Sequence, residues 1–168
     1  MSHKANREAK FVLVFLIVVI LFVTTFQMGV VRGVSMEPTY LDGTVVLVRK
    51  INRFSPPLKR NDVVLVKQGR DVIIKRVFLL AGEEVDARAP DLLSATHRNQ
   101  KEDYYEQQPI TSDPGVKKTY RVPSNFIAVI GDNFRQSEDS RIFGPVPLHD
   151  VLGVVVGAPP PSYLPPRN

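Results

Sequence analysis

Apolar positions along this chain follow two patterns. From Phe11 to Val31 the sequence FVLVFLIVVILFVTTFQMGVV carries no charge, and as a helix it is long enough for a hydrocarbon core of about 30 Å. Beyond it, apolar residues gather in short β-branched runs: Thr44–Arg49, Asp62–Lys67, Val72–Leu80, Lys118–Val122, Phe126–Ile130 and Val151–Val156. Such runs predict strands. Turn-formers separate them, among them Leu41-Asp42-Gly43, Ser55-Pro56-Pro57, Ala81-Gly82 and Asp113-Pro114-Gly115. No long amphipathic pattern competes, so the expected fold is mainly β: an N-terminal transmembrane helix, then a β-rich sandwich or partly open barrel. The polar stretch about 86–117, centred on HRNQKEDYYEQQ, reads as an exposed excursion, and the tail 159–168 as a proline-rich extended end.

Charge orients this arrangement. Lys4, Arg7 and Lys10 precede the apolar run and only Arg32 follows closely, so the positive-inside rule places residues 1–10 in the cytoplasm, 11–31 across the inner membrane and 32–158 outside. A cleaved secretory signal has a shorter apolar core ending in a small-x-small site, whereas here GVVRGVS follows. The chain has 168 residues, which allows one domain and an anchor but no second enzyme domain. The absence of cysteine excludes thiol catalysis, a disulfide framework and thiolate-bound zinc. The net charge of +5 comes from scattered Lys and Arg with no basic run interleaved with aromatics, which argues against a nucleic-acid partner.

Three stretches carry candidate chemistry. The first is GVSMEPTY, Gly33 to Tyr40, just past the apolar run; turn chemistry alone would explain its Ser and Pro. In the second, VIIKRVFLL, strand alternation puts Ile73, Lys75, Val77 and Leu79 on one face and Ile74, Arg76, Phe78 and Leu80 on the other. Each apolar face thus holds one cation. Either both heads reach water at a strand edge, or burial forces two solutions, with Lys75 shedding its proton and Arg76, which cannot, pairing with a carboxylate. The third, GDNFRQSEDSRIFGPV from Gly131 to Val146, is a loop that supplies carboxylates and hydroxyls to such cations.

In order and content these stretches resemble the type I signal peptidases, the leader peptidases of bacteria, over most of the chain. The Ser-Met-x-Pro motif is met by Ser35, Met36, Glu37 and Pro38, and the Lys-Arg-Val motif by Lys75, Arg76 and Val77. Gly-Asp-Asn followed by Ser-x-Asp-Ser-Arg is met by Gly131, Asp132, Asn133, Ser137, Asp139, Ser140 and Arg141. The resemblance implies a membrane-bound serine endopeptidase that removes signal peptides with a Ser-Lys dyad. Ser35 would attack, Lys75 would act as general base, Ser137 would orient the lysine amine, and Asp139 and Arg141 would form a structural pair. It also implies preprotein substrates with small residues at the first and third positions before the cut. Met36, Ile73 and Ile74, beside the dyad in sequence, are the candidates for lining that pocket, with core packing as their other reading.

The dyad requires no histidine, metal or cofactor, and His3, His97 and His149 lie away from all three motifs. A Ser-His-Asp site using His149 is the competing arrangement. A specialised organellar or pilin-processing peptidase is the variant of the same chemistry, and a non-catalytic anchored β-domain binding envelope proteins is the alternative outside it. Departures from the family pattern fall in loops. Gly33 stands where some members carry a serine that helps hold the oxyanion, Asn61 where glycine is usual, and Phe134 where arginine is common.

Overall fold

The structure, a computed structural model, describes residues 2–86 and 119–160. The polar excursion beyond Asp86, with His97, and the tail from Pro161 lie outside the described residues. Helix α1 (Ser2–Thr25) leads into strands β1 (Phe26–Val30), β2 (Val45–Lys50), β3 (Val63–Gln68), β4 (Asp71–Leu79) and β5 (Glu84–Asp86). After the excursion come β6 (Thr119–Arg121), β7 (Phe126–Ile130), helix α2 (Ser140–Phe143), β8 (Val146–Pro147), a 3-10 turn (Leu148–Asp150) and β9 (Val151–Val155).

The chain is mainly β, as expected, and of the two expected architectures, sandwich or partly open barrel, the sandwich is not the one that forms. Among the described residues the strands form one seven-stranded sheet in the order β1-β2-β9-β3-β4-β7-β8, with β5 and β6 as a separate two-stranded ribbon. Every pairing is antiparallel. The strands stay in one sheet because β9 returns between β2 and β3 and bonds to both, joining the two halves edge to edge. Both faces of that sheet are apolar, as the runs without polar alternation required. On β3, Val64 and Val66 enter one core cluster with Val77, Ile127, Val129 and Val154, while Val63 joins a second with Val31, Met36, Tyr40, Val46, Val48 and Val155. Register then places Lys75 opposite Val64 and Arg76 opposite Val63, in the middle of the buried sheet.

The long apolar run is not helical to its end. It leaves the helix at Thr25, and Phe26–Val30 pairs with β2 from Phe26↔Arg49 to Val30↔Val45. A run without charge, whose polar residues are Thr24, Thr25 and Gln27 alone, has no clear period to separate helix from strand, so the sequence did not mark this change. The helical part of the run, Phe11 to Thr25, extends roughly 22 Å at 1.5 Å per residue. Among the described residues no helix is long and apolar enough to cross a membrane. The apolar side chains from Phe11 to Val23 are nevertheless all exposed. The helix end is tied to the sheet by Lys50, whose Nζ donates to the Val23 carbonyl at 3.1 Å, one of the carbonyls a helix C-terminus leaves unpaired.

Candidate active site

Ser35 sits on a turn that the local sequence holds in several ways. Gly33 takes φ 81°, a left-handed conformation that glycine adopts without steric cost, and its N–H donates to Asp42 Oδ1 at 2.8 Å. The N–H groups of Glu37 and Tyr40 donate to the carbonyls of Val34 and Met36. Met36 itself is fully buried in the core cluster with Val31 and Tyr40. Of the two readings of Met36, pocket lining and core packing, its burial fits the second: its side chain is the peg that fixes the turn, while the neighbouring Ser35 is only partly buried.

Lys75 points from the centre of β4, only 4% exposed, and its Nζ lies 2.8 Å from Ser35 Oγ. Burial pushes the Lys75 amine below its ordinary value of 10.5; the charges of Asp139 and Glu138 oppose that shift and Arg141 assists it. On an amine, desolvation favours the neutral form. Arg76, on the opposite face, meets burial differently. Its Nε and Nη2 donate to Asp132 Oδ1 and Oδ2 at 2.7 and 2.6 Å, and Nη1 donates to the carbonyls of Asn61 and Pro159. The adjacent cations thus have the two separate solutions their chemistry requires.

The loop from Gly131 to Arg141 closes around both. Asn133 donates through its backbone N–H to the Ser35 carbonyl at 3.0 Å and through Nδ2 to the Val34 carbonyl at 3.1 Å, clamping the serine turn to the loop. Asp139 caps α2, accepts from the Gly131 N–H at 2.9 Å and pairs with Arg141 through Nε and Nη2 at 2.8 and 2.9 Å. Burial would raise its carboxyl, but the Arg141 hydrogen bond, the Gly131 N–H and the nearby Ser137 hydroxyl outweigh it and hold Asp139 below 3.8. The Asp139–Arg141 pair forms across a helix N-cap and not along an extended strand. Arg141 also lies over the Phe134 ring, 3.7 Å from its centroid.

Ser137 is buried, and no hydrogen bond joins its Oγ to Lys75; the hydroxyl lies near the Asp139 carboxylate. Its side chain instead fills the space against Gly131, and Lys75 Nζ is directed to Ser35. Ile73 and Ile74 line an apolar cleft of about 300 Å³ together with Gly29, Val31, Val46 and the dyad residues. His149 is exposed on the 3-10 turn, with Asp150 at 3.8 Å. Among the described residues no three His, Asp or Glu side chains form a metal-binding group.

Sequence reasoning did not single out Asp132 as the Arg76 partner, Asn133 as the clamp, or β1 as a wall of the cleft. The Gly-Asp-Asn tripeptide carried the signal for the first two. For β1 the alternation within Phe26-Gln27-Met28-Gly29-Val30 was too short to read.

Comparison with known proteins agrees with this geometry. Residues 6–158 match the family described as signal peptidase, peptidase S26. The chain belongs to that family. This signal peptidase family member is 35% identical over 140 residues to signal peptidase I V of Bacillus subtilis (strain 168), covering 76% of this chain and 82% of the relative. It is 30% identical over 166 residues to signal peptidase I of Bacillus caldolyticus, covering 92% and 90%. Mitochondrial inner membrane protease subunit 1 of Mus musculus matches at 30% over 124 residues, covering 72% and 61%. The peptidase S26 protein is accordingly a serine peptidase, a hydrolase of peptide bonds.

Proposed function

We propose that this signal peptidase removes signal peptides from exported preproteins, with Ser35 as nucleophile and Lys75 as general base. The observation that carries the reading is the 2.8 Å approach of Lys75 Nζ to Ser35 Oγ by an amine that burial drives toward neutrality. A neutral amine accepts the hydroxyl proton as Oγ bonds to the scissile carbonyl carbon. The protonated amine then gives that proton to the leaving amine as the carbon–nitrogen bond breaks. Water, activated by the same lysine, releases the acyl group from Ser35. The Ser35 backbone N–H is the proposed oxyanion donor, since Gly33 brings no hydroxyl. These steps require no metal or cofactor.

Asp139 and Arg141 act as a structural pair, and Arg76 with Asp132 holds the loop against β4. Ser137 orients the lysine once substrate fills the site, by turning its unpartnered hydroxyl to the amine. The apolar cleft walled by Ile73 and Ile74 suits small residues at the first and third positions before the cut, because most of its lining is apolar and its polar members are Arg32 and the dyad itself.

Helix α1 is the proposed membrane anchor, with the N-terminus inside and the peptidase domain outside. Its support is the unbroken exposed apolar surface from Phe11 to Val23. The roughly 22 Å helical run fits a thicker hydrocarbon core if the bilayer thins locally and Lys10 reaches back to the headgroups. That placement brings Ser35 to the depth at which a signal peptide presents its own cleavage site, and so raises effective concentration.

Cleavage of a preprotein by the parent, Ser35→Ala and Lys75→Ala tests the function. Loss of at least about a thousandfold in both variants is expected; normal turnover by folded Ser35→Ala would remove the assignment.

A further inference from the structure

A second cleft, of about 520 Å³, opens beyond the serine turn and is lined by Glu37, Pro38, Asp132, Asn133, Phe134 and Arg135. It shares no residue with the apolar cleft, and the two differ in chemistry. Ser35 itself borders the apolar cleft, and Glu37 and Pro38, two and three residues on, border the second. Asn133 joins the second cleft directly to the nucleophile by its bonds to the Ser35 and Val34 carbonyls.

Its charges are asymmetric in availability. Asp132 is neutralised by Arg76, and Phe134 is covered on one side by Arg141. Glu37 and Arg135 form no ion pair among the described residues. Among the described residues the cleft therefore presents one carboxylate without an ion pair on the Ser35 turn itself and one such guanidinium farther along the loop.

We propose that this cleft binds the substrate residues that follow the cut, with Glu37 and Arg135 as specificity residues. The inference rests on the proposed signal-peptide cleavage. A substrate crossing Ser35 has two sides of unlike character. The signal side is apolar and small, which suits the first cleft, while the side released as the new amino terminus is polar and suits the second. Glu37, on the nucleophile's own turn, favours a cationic side chain at the second position after the cut and disfavours an anionic one. Arg135 exerts the reverse preference at the fourth position.

The test uses the full-length enzyme in detergent and peptides sharing one signal-side sequence, with Lys, Ala or Glu at the second or fourth position after the cut. The readout is the ratio of kcat/KM for Lys over Glu peptides within each enzyme, which cancels differences in folded fraction. Partly exposed charge pairs of this kind change such ratios about twofold to fivefold. Glu37→Gln is expected to lower the Lys:Glu ratio at the second position by that amount, and Arg135→Gln to raise it at the fourth, with both effects shrinking at high salt. Ratios that Glu37→Gln and Arg135→Gln leave unchanged, in an enzyme whose parent cleaves the Ala peptide, overturn the second cleft alone. A parent that leaves the Ala peptide intact removes the cleavage reading and this inference with it.

Discussion

Lys75 Nζ and Ser35 Oγ lie 2.8 Å apart although 40 residues separate them in sequence. The contact exists because the Met36 peg and the Asn133 clamp bring the serine turn to the middle of β4, where the lysine is already enclosed. Its cost follows from the same burial. At neutral pH an enclosed ammonium is disfavoured in the fold but not in the unfolded chain. Lys75→Met should therefore abolish cleavage while raising stability by about 1 kcal/mol at neutral pH. The sign with pH is fixed. The folded amine titrates below 10.5, so between that lowered value and 10.5 the unfolded chain holds more protons. Parent stability rises through this window, and the advantage of Lys75→Met should narrow as pH approaches 10.5. Urea titrations across neutral and alkaline pH measure it. A variant less stable than the parent at neutral pH would show that the buried amine is not a burden on the fold.

Cleavage by the parent should rise with pH over the same range in which Lys75 loses its proton, with a midpoint below 10.5 set chiefly by desolvation. His149→Ala should leave that rising limb in place, since His149 is exposed and set beside Asp150. A pH–rate profile that loses its limb in His149→Ala would redirect the assignment to a histidine base.

Much of this site was legible because its chemistry is confined to particular residue types. Two adjacent cations in an apolar strand had to be treated differently, and the structure gives Lys75 a hydroxyl and Arg76 a bidentate carboxylate. The strands were legible for a similar reason, since β3 and β4 are apolar on both faces and need burial on both. What was not legible depended on long-range choice. The Phe11–Val31 run reads as one helix because no charge or proline marks Thr25 as its end, and only the free edge of β2 decides that Phe26–Val30 becomes a strand. Met36 could not be sorted between pocket and core, because a methionine beside Ser35 suits both and the turn's direction decides. Ser137 could be placed near the amine by motif, but not bonded to it, because hydroxyl partners depend on fractions of an ångström.

Asn61 shows how a departure from the family pattern is accommodated. Its φ of 69° lies in the left-handed region, which asparagine enters more readily than other non-glycine residues. The conformation is pinned on both sides, since its N–H donates to the Val77 carbonyl and its own carbonyl accepts from Arg76. Asn61→Gly should change stability by no more than about 0.5 kcal/mol, whereas Asn61→Val should cost about 1–3 kcal/mol through strain at a β-branched residue. Paired chemical denaturation midpoints compare the two. Equal midpoints would show that the backbone there relaxes.

Gly131 is required by contact and not by conformation. A Cβ at this position would overlap Ser137 Oγ and the Ser35 carbonyl oxygen. The hydroxyl can rotate away, but the carbonyl belongs to the Ser35 turn and is held by Asn133. Gly131→Ala should therefore displace Ser35 from Lys75, costing about 1–3 kcal/mol of stability and at least about tenfold in kcat. A folded variant with parental kcat would show that the loop can move without carrying the serine.

The boundary between helix α1 and the sheet decides what a truncated chain keeps. A cut at Gly33 follows naturally from reading Phe11–Val31 as one membrane segment, and the domain beyond it would then be expected to fold alone. The structure places the boundary earlier. β1 pairs with β2 along its whole length, and Val31, 2% exposed, belongs to the same core cluster as Met36. Removing residues through Arg32 would strip an edge strand from β2, uncover Val46 and Val48, and delete the Val31 side chain, whose burial alone is worth about 1.5–3 kcal/mol. It would also leave β2 as an unpaired apolar edge, which promotes association between chains. A chain beginning at Phe26 keeps all of these contacts and loses α1 with the Lys50 bond to Val23 and the Phe22–Phe26 ring contact. The chain from Phe26 should unfold cooperatively and cleave soluble peptides, while the chain from Gly33 should be several kcal/mol less stable or aggregate. Circular dichroism with urea, together with light scattering, distinguishes the two. Equal stability would mean that β1 contributes nothing to the sheet and that the boundary belongs at Gly33 after all.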